Sequence, residues 1–220
     1  MTVARAPHRQ LPRARFRRLA REIAEIGKGF YSRGWALGTS GNLSAVVHVD
    51  PLLLAITASG LDKSTLAPSQ ILAIDADLGV RFGRGKPSSE AAIHLAIARG
   101  RSAGAIFHTH SIWSTLLSER HFREGGVELK GFEMLKGLEN VRSHEHSEWL
   151  PILDNSQDMK KLSLEIRDLL ERHPAIHGLL LRAHGLYTWG RTPREAKRHV
   201  EIFEFLMEVL ARSKASSDAG

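Results

Sequence analysis

Residues 104–110, Gly-Ala-Ile-Phe-His-Thr-His, form an apolar run that ends in a His-x-His pair. An apolar run of this length with a β-branched residue predicts a buried strand. Side chains two residues apart in a strand point to the same face of the sheet, so we expect His108 and His110 to face one point. Two such imidazoles can bind one metal ion if a third ligand exists. They can equally be strand-end residues that hydrogen-bond to the backbone.

The composition limits what such a site can contain. The chain has 220 residues, of which 42% are hydrophobic and 25% charged, as in a globular protein with one sizeable core. It has no cysteine, so disulfides and thiolate-bound metals are excluded and any metal ligand must be His, Asp or Glu. No apolar run approaches the roughly 18 residues of a membrane span, and no signal-peptide core is present. We therefore expect a cytoplasmic protein with no membrane partner.

The net charge of +7 comes from one end of the chain. Residues 1–21 contain seven arginines and no acid, whereas the other 24 Lys/Arg and 24 Asp/Glu balance. Residues 1–12 are interpreted as a flexible basic arm that leads into a helix over 13–32. Such an arm is typical of a solvated extension, so no nucleic-acid partner is expected; weak nucleic-acid or membrane-surface binding and an organelle transit peptide are the alternatives.

Three short segments rich in Gly, Ser or Thr stand at the ends of predicted elements, at 38–42, 58–60 and 85–90. Each alone is typical of an ordinary turn or a helix cap, and Ser88 and Ser89 suit a helix start with Glu90 in its first turn. Backbone N–H groups and hydroxyls repeated in this way can also bind a phosphate.

Other residues with metal or proton chemistry lie further along the chain. His184 follows a strongly apolar strand over 176–182 and precedes a glycine, which makes it the candidate third ligand. Glu133 has apolar neighbours; it is either an exposed helix residue or, in a pocket beside a metal, an acid/base group with a raised pKa. A second pair, His144 and His146, is a rival metal site, but its polar surroundings do not predict a strand.

The remaining elements are predicted from periodicity and turn residues. Strands are expected over 52–57, 71–75 and 78–82, and helices over 91–98, 111–119 and 157–172. A last helix starts at a Thr192 cap with Pro193 in its first position and runs to about Arg212. Residues 213–220 are expected to form a frayed tail.

Five motifs in this order resemble the class II aldolase/adducin family of the fuculose-phosphate aldolase type. They are Gly-Thr-Ser-Gly-Asn (38–42), Ile-Thr-Ala-Ser-Gly (56–60), Lys-Pro-Ser-Ser-Glu (86–90), His-Thr-His (108–110) and Ala-His-Gly (183–185). The resemblance extends from about residue 16 to 212. It implies one catalytic domain over 13–212, an α/β fold of three α/β/α layers with a mixed, mostly antiparallel central sheet. It also implies a homotetramer with sites near the subunit interfaces.

The same resemblance implies roles for individual residues. One Zn²⁺ per subunit would be bound by His108, His110 and His184. The phosphate of a small phosphorylated ketose would be bound by Asn42, Ser59, Gly60, Ser88 and Ser89. The catalytic acid/base would be Glu133, with Glu90 as a second candidate.

Three segments, 132–137, 143–146 and 151–158, resemble the dehydratases of this family. They imply zinc-dependent dehydration of 5-methylthioribulose 1-phosphate to 2,3-diketo-5-methylthiopentyl 1-phosphate in methionine salvage. The alternatives within the family are a zinc-dependent sugar-phosphate aldolase and a pentulose-phosphate 4-epimerase. A further alternative is a non-enzymatic, adducin-like interaction module, which is expected where the three histidines are missing.

Overall fold

The computed structural model describes residues 12–217, with side chains up to residue 213. The basic arm predicted for residues 1–12 therefore lies almost wholly outside the described residues. The strands are β1 (Asn42–His48), β2 (Leu53–Thr57), β3 (Ile71–Asp75), β4 (Val80–Phe82), β5 (Ala105–Thr109), β6 (Gly126–Lys130), β7 (Ser147–Leu153), β8 (Gly178–Leu181) and β9 (Gly185–Gly190). The helices are α1 (Arg13–Ser32), α2 (Ala91–Arg101), α3 (Ile112–Arg120), α4 (Met159–Arg172) and α5 (Pro193–Ser217). Short 3₁₀ helices cover Lys63–Thr65, Pro68–Gln70 and Glu133–Gly137.

The nine strands form one sheet in the order β4-β3-β2-β1-β5-β9-β8-β7-β6. All neighbours are antiparallel except β7 and β8, which run parallel. Strands such as β2, β5, β8 and β9 are buried along their whole length, which explains why they are apolar without alternation. The predicted mixed, mostly antiparallel sheet is confirmed.

Helices cover both faces of the sheet. On one face α2 and α4 pack against strands through Ile93, Ile97, Leu162 and Ile166. On the other face α1 contributes the apolar stripe of Ile23, Ile26 and Phe30, and α3 and α5 pack over the end of the sheet that includes β6 and β7. The core thus has the three α/β/α layers that the sequence predicts.

Two helix ends differ from the prediction. Glu90 is the residue before α2 and not part of its first turn, because the hydroxyl of Ser88 accepts the Glu90 N–H at 3.2 Å and holds this segment in a turn. Helix α5 continues to Ser217 instead of ending near Arg212, since no glycine or proline interrupts the chain there. Within residues 12–217, no helix is long and apolar enough to cross a membrane.

The register of the central strands brings distant motifs to one edge of the sheet. Asn42 at the start of β1 lies opposite His108 of β5, and His108 lies opposite Tyr187 of β9. Because these strands are antiparallel, the end of β5 adjoins the starts of β1 and β9. The end of β2 adjoins the start of β1 for the same reason. This edge carries the candidate functional site.

Candidate metal centre and phosphate pocket

Three imidazoles converge at this edge. The Nε2 atom of His110 lies 2.7 Å from that of His108, and the Nε2 atom of His184 lies 3.2 Å from His108 and 3.1 Å from His110. His108 and His110 meet because they occupy same-face positions at the end of β5. The structure therefore brings together the three histidines that the sequence predicts as ligands. Within residues 12–217, these three form the only group of side chains with suitable metal-ligand geometry.

The proton positions in this cluster favour a metal. The Nδ1 of His108 contacts the carbonyl oxygen of Leu186 at 2.9 Å, and the Nδ1 of His184 contacts the Oδ1 of Asn155 at 3.2 Å. Both oxygens only accept, so each Nδ1 carries the proton and each Nε2 presents a lone pair. Lone pairs that face one another at this distance need a cation between them. The donor set thus fits a zinc ion, which binds imidazole nitrogen readily.

Burial keeps these imidazoles neutral. It lowers the pKa of His108 well below the ordinary value, and the neighbouring His110 and His184 lower it further. Burial also lowers the pKa of His110 to about 4, helped by the charges of His184 and Lys63. Burial lowers the pKa of His184 as well, against the opposing effect of Glu90. A neutral imidazole is the form that binds a metal, so the cluster needs no deprotonation at neutral pH.

A strained turn between β8 and β9 places His184. Ala183 has a φ of 49°, in the left-handed region that residues other than glycine seldom adopt. Its N–H donates to the Ser118 hydroxyl at 3.1 Å, which holds the turn. Gly185 follows because a Cβ there would collide with the Thr109 carbonyl and approach Cε1 of His108 to 3.2 Å. The glycine of the Ala-His-Gly motif is therefore required by the close approach of this turn to β5.

Glu90 is the carboxylate at the cluster. Its Oε1 lies 3.3 Å from the Nε2 of His184 and 3.6 Å from that of His108, and its side chain is only 12% exposed. The ring of Tyr187 stacks on His108 with centroids 3.9 Å apart. Burial and the nearby Glu90 carboxylate raise the pKa of Tyr187 well above its usual value, so the phenol stays protonated.

A pocket of about 180 Å³ adjoins the cluster. The pocket lies between the three Gly/Ser/Thr-rich turns and the histidine cluster. From the turns it is lined by Thr39, Ser40, Gly41, Asn42, Ala58, Ser59, Gly60 and Ser88, and beside the cluster by Glu90 and His110. Four of the five expected phosphate-binding residues line it. Ser89 is exposed and is not among the lining residues.

A buried lysine in the turn-rich segment after β2 supports this pocket. Lys63 is 1% exposed, and its Nζ donates to the carbonyls of Thr39 at 3.2 Å and Leu61 at 2.8 Å. It thus joins the turn before β1 to the turn after β2. Burial lowers the pKa of Lys63 to about 8. The sequence signal was a lone lysine in a turn-rich segment, which does not distinguish it from a solvated lysine.

Glu133 occupies a different environment from the one expected beside a metal. Its side chain is 73% exposed, and it lies in the 3₁₀ helix Glu133–Gly137. Within residues 12–217 its polar contacts are with Lys136 at 2.6 Å and His144 at 3.8 Å, not with the three histidines. The hydrogen bond from Lys136 lowers the pKa of Glu133, whereas burial in an apolar pocket would raise it. The described chain alone does not bring Glu133 to the cluster.

The rival His-x-His pair does not form a second cluster. His144 is exposed beside Glu133, while the Nε2 of His146 contacts Glu148 at 2.8 Å. Glu148 is buried and also contacts the Nδ1 of His177 at 3.0 Å. Burial opposes ionisation of Glu148, but the hydrogen bonds from His177 and His146 outweigh it and lower its pKa. The pair is thus divided between the surface and a buried ionic network.

One mixed sheet with three convergent histidines at its edge defines an α/β protein with a metal-centre geometry beside a polar pocket. The chain belongs to the family described as the Class II Aldolase and Adducin N-terminal domain, whose sequence model matches residues 21–211. The family resemblance drawn from the motifs is confirmed.

Relatives and solved structures agree with this assignment. The methylthioribulose-1-phosphate dehydratase of Marinobacter nauticus is 39% identical and covers 88% of this chain and 93% of its own length. The enzyme of the same name from Persephonella marina is 39% identical, with 86% of each chain covered. The crystal structure of L-fuculose-1-phosphate aldolase from Thermus thermophilus has the same fold, with a TM-score of 0.72 at 22% identity over 94% of this chain and 100% of that one.

Proposed function

We propose that this protein is a zinc-dependent hydro-lyase that dehydrates 5-methylthioribulose 1-phosphate to 2,3-diketo-5-methylthiopentyl 1-phosphate, a step of methionine salvage. The observation that carries the proposal is the convergence of the Nε2 atoms of His108, His110 and His184 beside the polar pocket. The relatives named methylthioribulose-1-phosphate dehydratase, at 39% identity over most of the chain, support the choice of reaction.

The three histidines would hold one Zn²⁺ per subunit. When bound, zinc supplies a Lewis acid that polarises the oxygens of the substrate. The phosphate would bind in the pocket through Asn42, Ser59, Gly60 and Ser88, and Ser89 is the fifth residue that the family resemblance implies. Binding energy from the phosphate then orients C3 and C4 of the ketose at the reacting centre.

Dehydration removes the C3 proton and the C4 hydroxyl, and tautomerisation of the resulting enol gives the diketone. A carboxylate is needed to accept the first proton and to return a proton to the leaving hydroxyl. We propose Glu133 for this role from the family resemblance, with Glu90 as the second candidate. The position of Glu90, 3.3 Å from His184, supports the second candidate.

The exposure of Glu133 is compatible with a role at a site near a subunit interface. We propose that the protein is a homotetramer, as the family resemblance implies. We also propose that it is located in the cytoplasm. Light scattering of the purified protein tests the tetramer, and a monomer at working concentration contradicts it. Fractionation of the producing cells tests the location, and recovery with the membranes contradicts it.

The test of the function is turnover of methylthioribulose 1-phosphate by the wild type, Glu133→Gln and Glu90→Gln, with zinc measured in each sample. We expect the wild type to form diketone, and Glu133→Gln to keep its zinc while losing at least about 100-fold in kcat. Full activity of Glu133→Gln together with loss in Glu90→Gln assigns the proton transfers to Glu90. Release of a triose phosphate or an epimer without diketone contradicts the proposed reaction.

A further inference from the structure

A chain of buried polar groups runs from the core to the metal centre. Ser44, on β1, and His94, on α2, are both 0% exposed, and Asn42 is 5% exposed. The Ser44 Oγ lies 2.7 Å from the Nδ1 of His94, and the Nε2 of His94 contacts the Oδ1 of Asn42. The Nδ2 of Asn42 then contacts Oε2 of Glu90 at 2.6 Å. None of the proposed roles described above uses Ser44 or His94.

The chemistry of these groups permits one arrangement of protons. The Nδ2 of Asn42 donates to Oε2 of Glu90, so the amide turns its NH₂ toward Glu90 and its oxygen toward His94. That oxygen needs a donor, which places the His94 proton on Nε2. The Nδ1 of His94 then accepts the hydroxyl proton of Ser44. The Ser44 hydroxyl has a second acceptor in the Ile106 carbonyl, but that contact is 3.5 Å long against 2.7 Å to the Nδ1 of His94.

The environment of His94 keeps this arrangement fixed. Burial lowers the pKa of His94 to about 3, so at neutral pH it carries one proton. Its ring packs edge-on against Tyr187 with centroids 5.8 Å apart, and Tyr187 in turn stacks on His108. The ring therefore has little room to rotate, which would exchange its two nitrogens.

We propose that His94 is a positioning residue, which fixes the amide of Asn42 so that one N–H holds Glu90 and the other faces the phosphate pocket. The second N–H points toward Ser88, whose Oγ is 3.4 Å from Nδ2. The Asn42 side chain thus contacts both the phosphate pocket and the Glu90 carboxylate at the histidine cluster, and His94 sets its orientation. The inference deepens the proposed function and rests on it for the identity of the anion.

The signal for this residue was present in the sequence but not decisive. His94 lies four residues after Glu90, and residues at this spacing occupy the same face of a helix. A histidine on the apolar face of α2 is equally compatible with an isolated core residue. Only the fold shows that His94 contacts Ser44 and Asn42 at the start of β1.

The first test needs no substrate and no activity measurement. With ¹⁵N-labelled histidine, the nitrogen shifts of His94, assigned by their loss in His94→Phe, report which nitrogen carries the proton. We expect the neutral Nε2–H form in the zinc-loaded wild type. A proton on Nδ1, or a rapidly exchanging mixture, overturns the inference whether or not the protein dehydrates methylthioribulose 1-phosphate.

The second test uses inorganic phosphate as the probe. We expect His94→Phe, which has no donor for Asn42, to weaken phosphate binding about tenfold while zinc content stays unchanged. His94→Gln retains an N–H donor and should restore most of the affinity. Ser44→Ala provides a milder variant that keeps the ring, and about a threefold loss is expected from it.

A matched control comes from His199, which is 1% exposed. Its Nδ1 bonds the Trp189 carbonyl at 2.7 Å and has no contact with the polar chain of His94 and Asn42. His199→Phe should lower stability without weakening phosphate binding. Equal phosphate affinity in His94→Phe and wild type overturns the inference, as does an equal loss in His94→Phe and His94→Gln. Absent dehydration in the wild type, with the phosphate results as expected, contradicts only the proposed reaction.

Discussion

The Nε2 atoms of His108 and His184 lie 3.2 Å apart while the Nδ1 atom of each ring contacts an oxygen acceptor. The acceptors place both protons on Nδ1, so the two Nε2 atoms cannot hydrogen-bond to each other. Together with the Nε2 of His110, which lies 2.7 Å from that of His108, these two nitrogens form a site complementary to a cation. The arrangement connects a property of the fold, the meeting of β5 with the β8–β9 turn, to a metal-dependent chemistry.

Removing one of these ligands should release the metal. We expect His184→Ala to lose most of its zinc, because two histidines and an open site bind far more weakly than three. Metal content after dialysis against a mild chelator measures this. His144→Ala is the control from the rival pair and should retain one zinc per chain; a His184→Ala protein that also retains it contradicts the assignment.

Asn155 should support the metal without contacting it. Its Oδ1 accepts the Nδ1 proton of His184 at 3.2 Å, which orients the ring and fixes its tautomer. Loss of such a partner typically weakens metal binding about 10- to 100-fold. We predict a loss in this range for Asn155→Ala in zinc competition with a fluorescent chelator. Asn155→Asp, which keeps an acceptor, should stay close to the wild type, and weak binding by both variants would indicate a different cause.

The sequence predicts the fold well because the central strands are continuous apolar runs with clear turn residues between them. The five helices and the predicted strands over 52–57, 71–75, 78–82, 104–110 and 176–182 lie close to their expected positions. Strands β6 and β7 were not predicted, since β6 is half-exposed and β7 begins in a polar run. Their pairing depends on contacts distant in sequence, which periodicity does not reveal.

The site was predictable where it uses the same kind of residue several times. Three histidines and hydroxyl-rich turns stand out in a chain without cysteine. Lys63 and His94 did not, because their roles depend on which backbone carbonyl or side chain faces them after folding. The environment of Glu133 was also not predictable, because its exposure beside Lys136 and His144 is decided only by how the chain folds around it.

Lys63 should matter for phosphate binding. Its ammonium joins the turns that carry Thr39 and Leu61, and it is the buried cation beside the pocket. Lys63→Met gives an unbranched side chain one atom shorter and removes the charge and both hydrogen bonds. We expect KM for the phosphorylated substrate to rise about tenfold or more, with the zinc content unchanged. Lys28→Met, at an exposed position on α1, is the control; an unchanged KM in Lys63→Met contradicts this role.

Glu204 should make stability fall as pH rises. It is buried, accepts the Thr109 hydroxyl at 2.9 Å, and burial raises its pKa from 4.5 to about 7. Between these values the folded state holds a proton that the unfolded chain releases, so unfolding becomes more favourable with increasing pH. Glu204→Gln removes this penalty and should be more stable than wild type by about 1–3 kcal/mol at pH 8.

The same substitution should have a much smaller effect at pH 4.5, where Glu204 is protonated in the folded state and about half protonated in the unfolded chain. Urea unfolding at both pH values measures the difference in free energy. Glu124→Gln, at an exposed position in the turn before β6, is the control. A gain for Glu204→Gln that is equal at both pH values contradicts the raised pKa as its cause.

The central claim is that zinc held by His108, His110 and His184 is required for dehydration of methylthioribulose 1-phosphate. The most direct measurement is to strip the protein of metal, add zinc in steps, and assay diketone formation at each step. We predict no activity without metal and a linear rise that stops at one zinc per chain. Dehydration by the metal-free protein, or none at full zinc occupancy, would contradict the account.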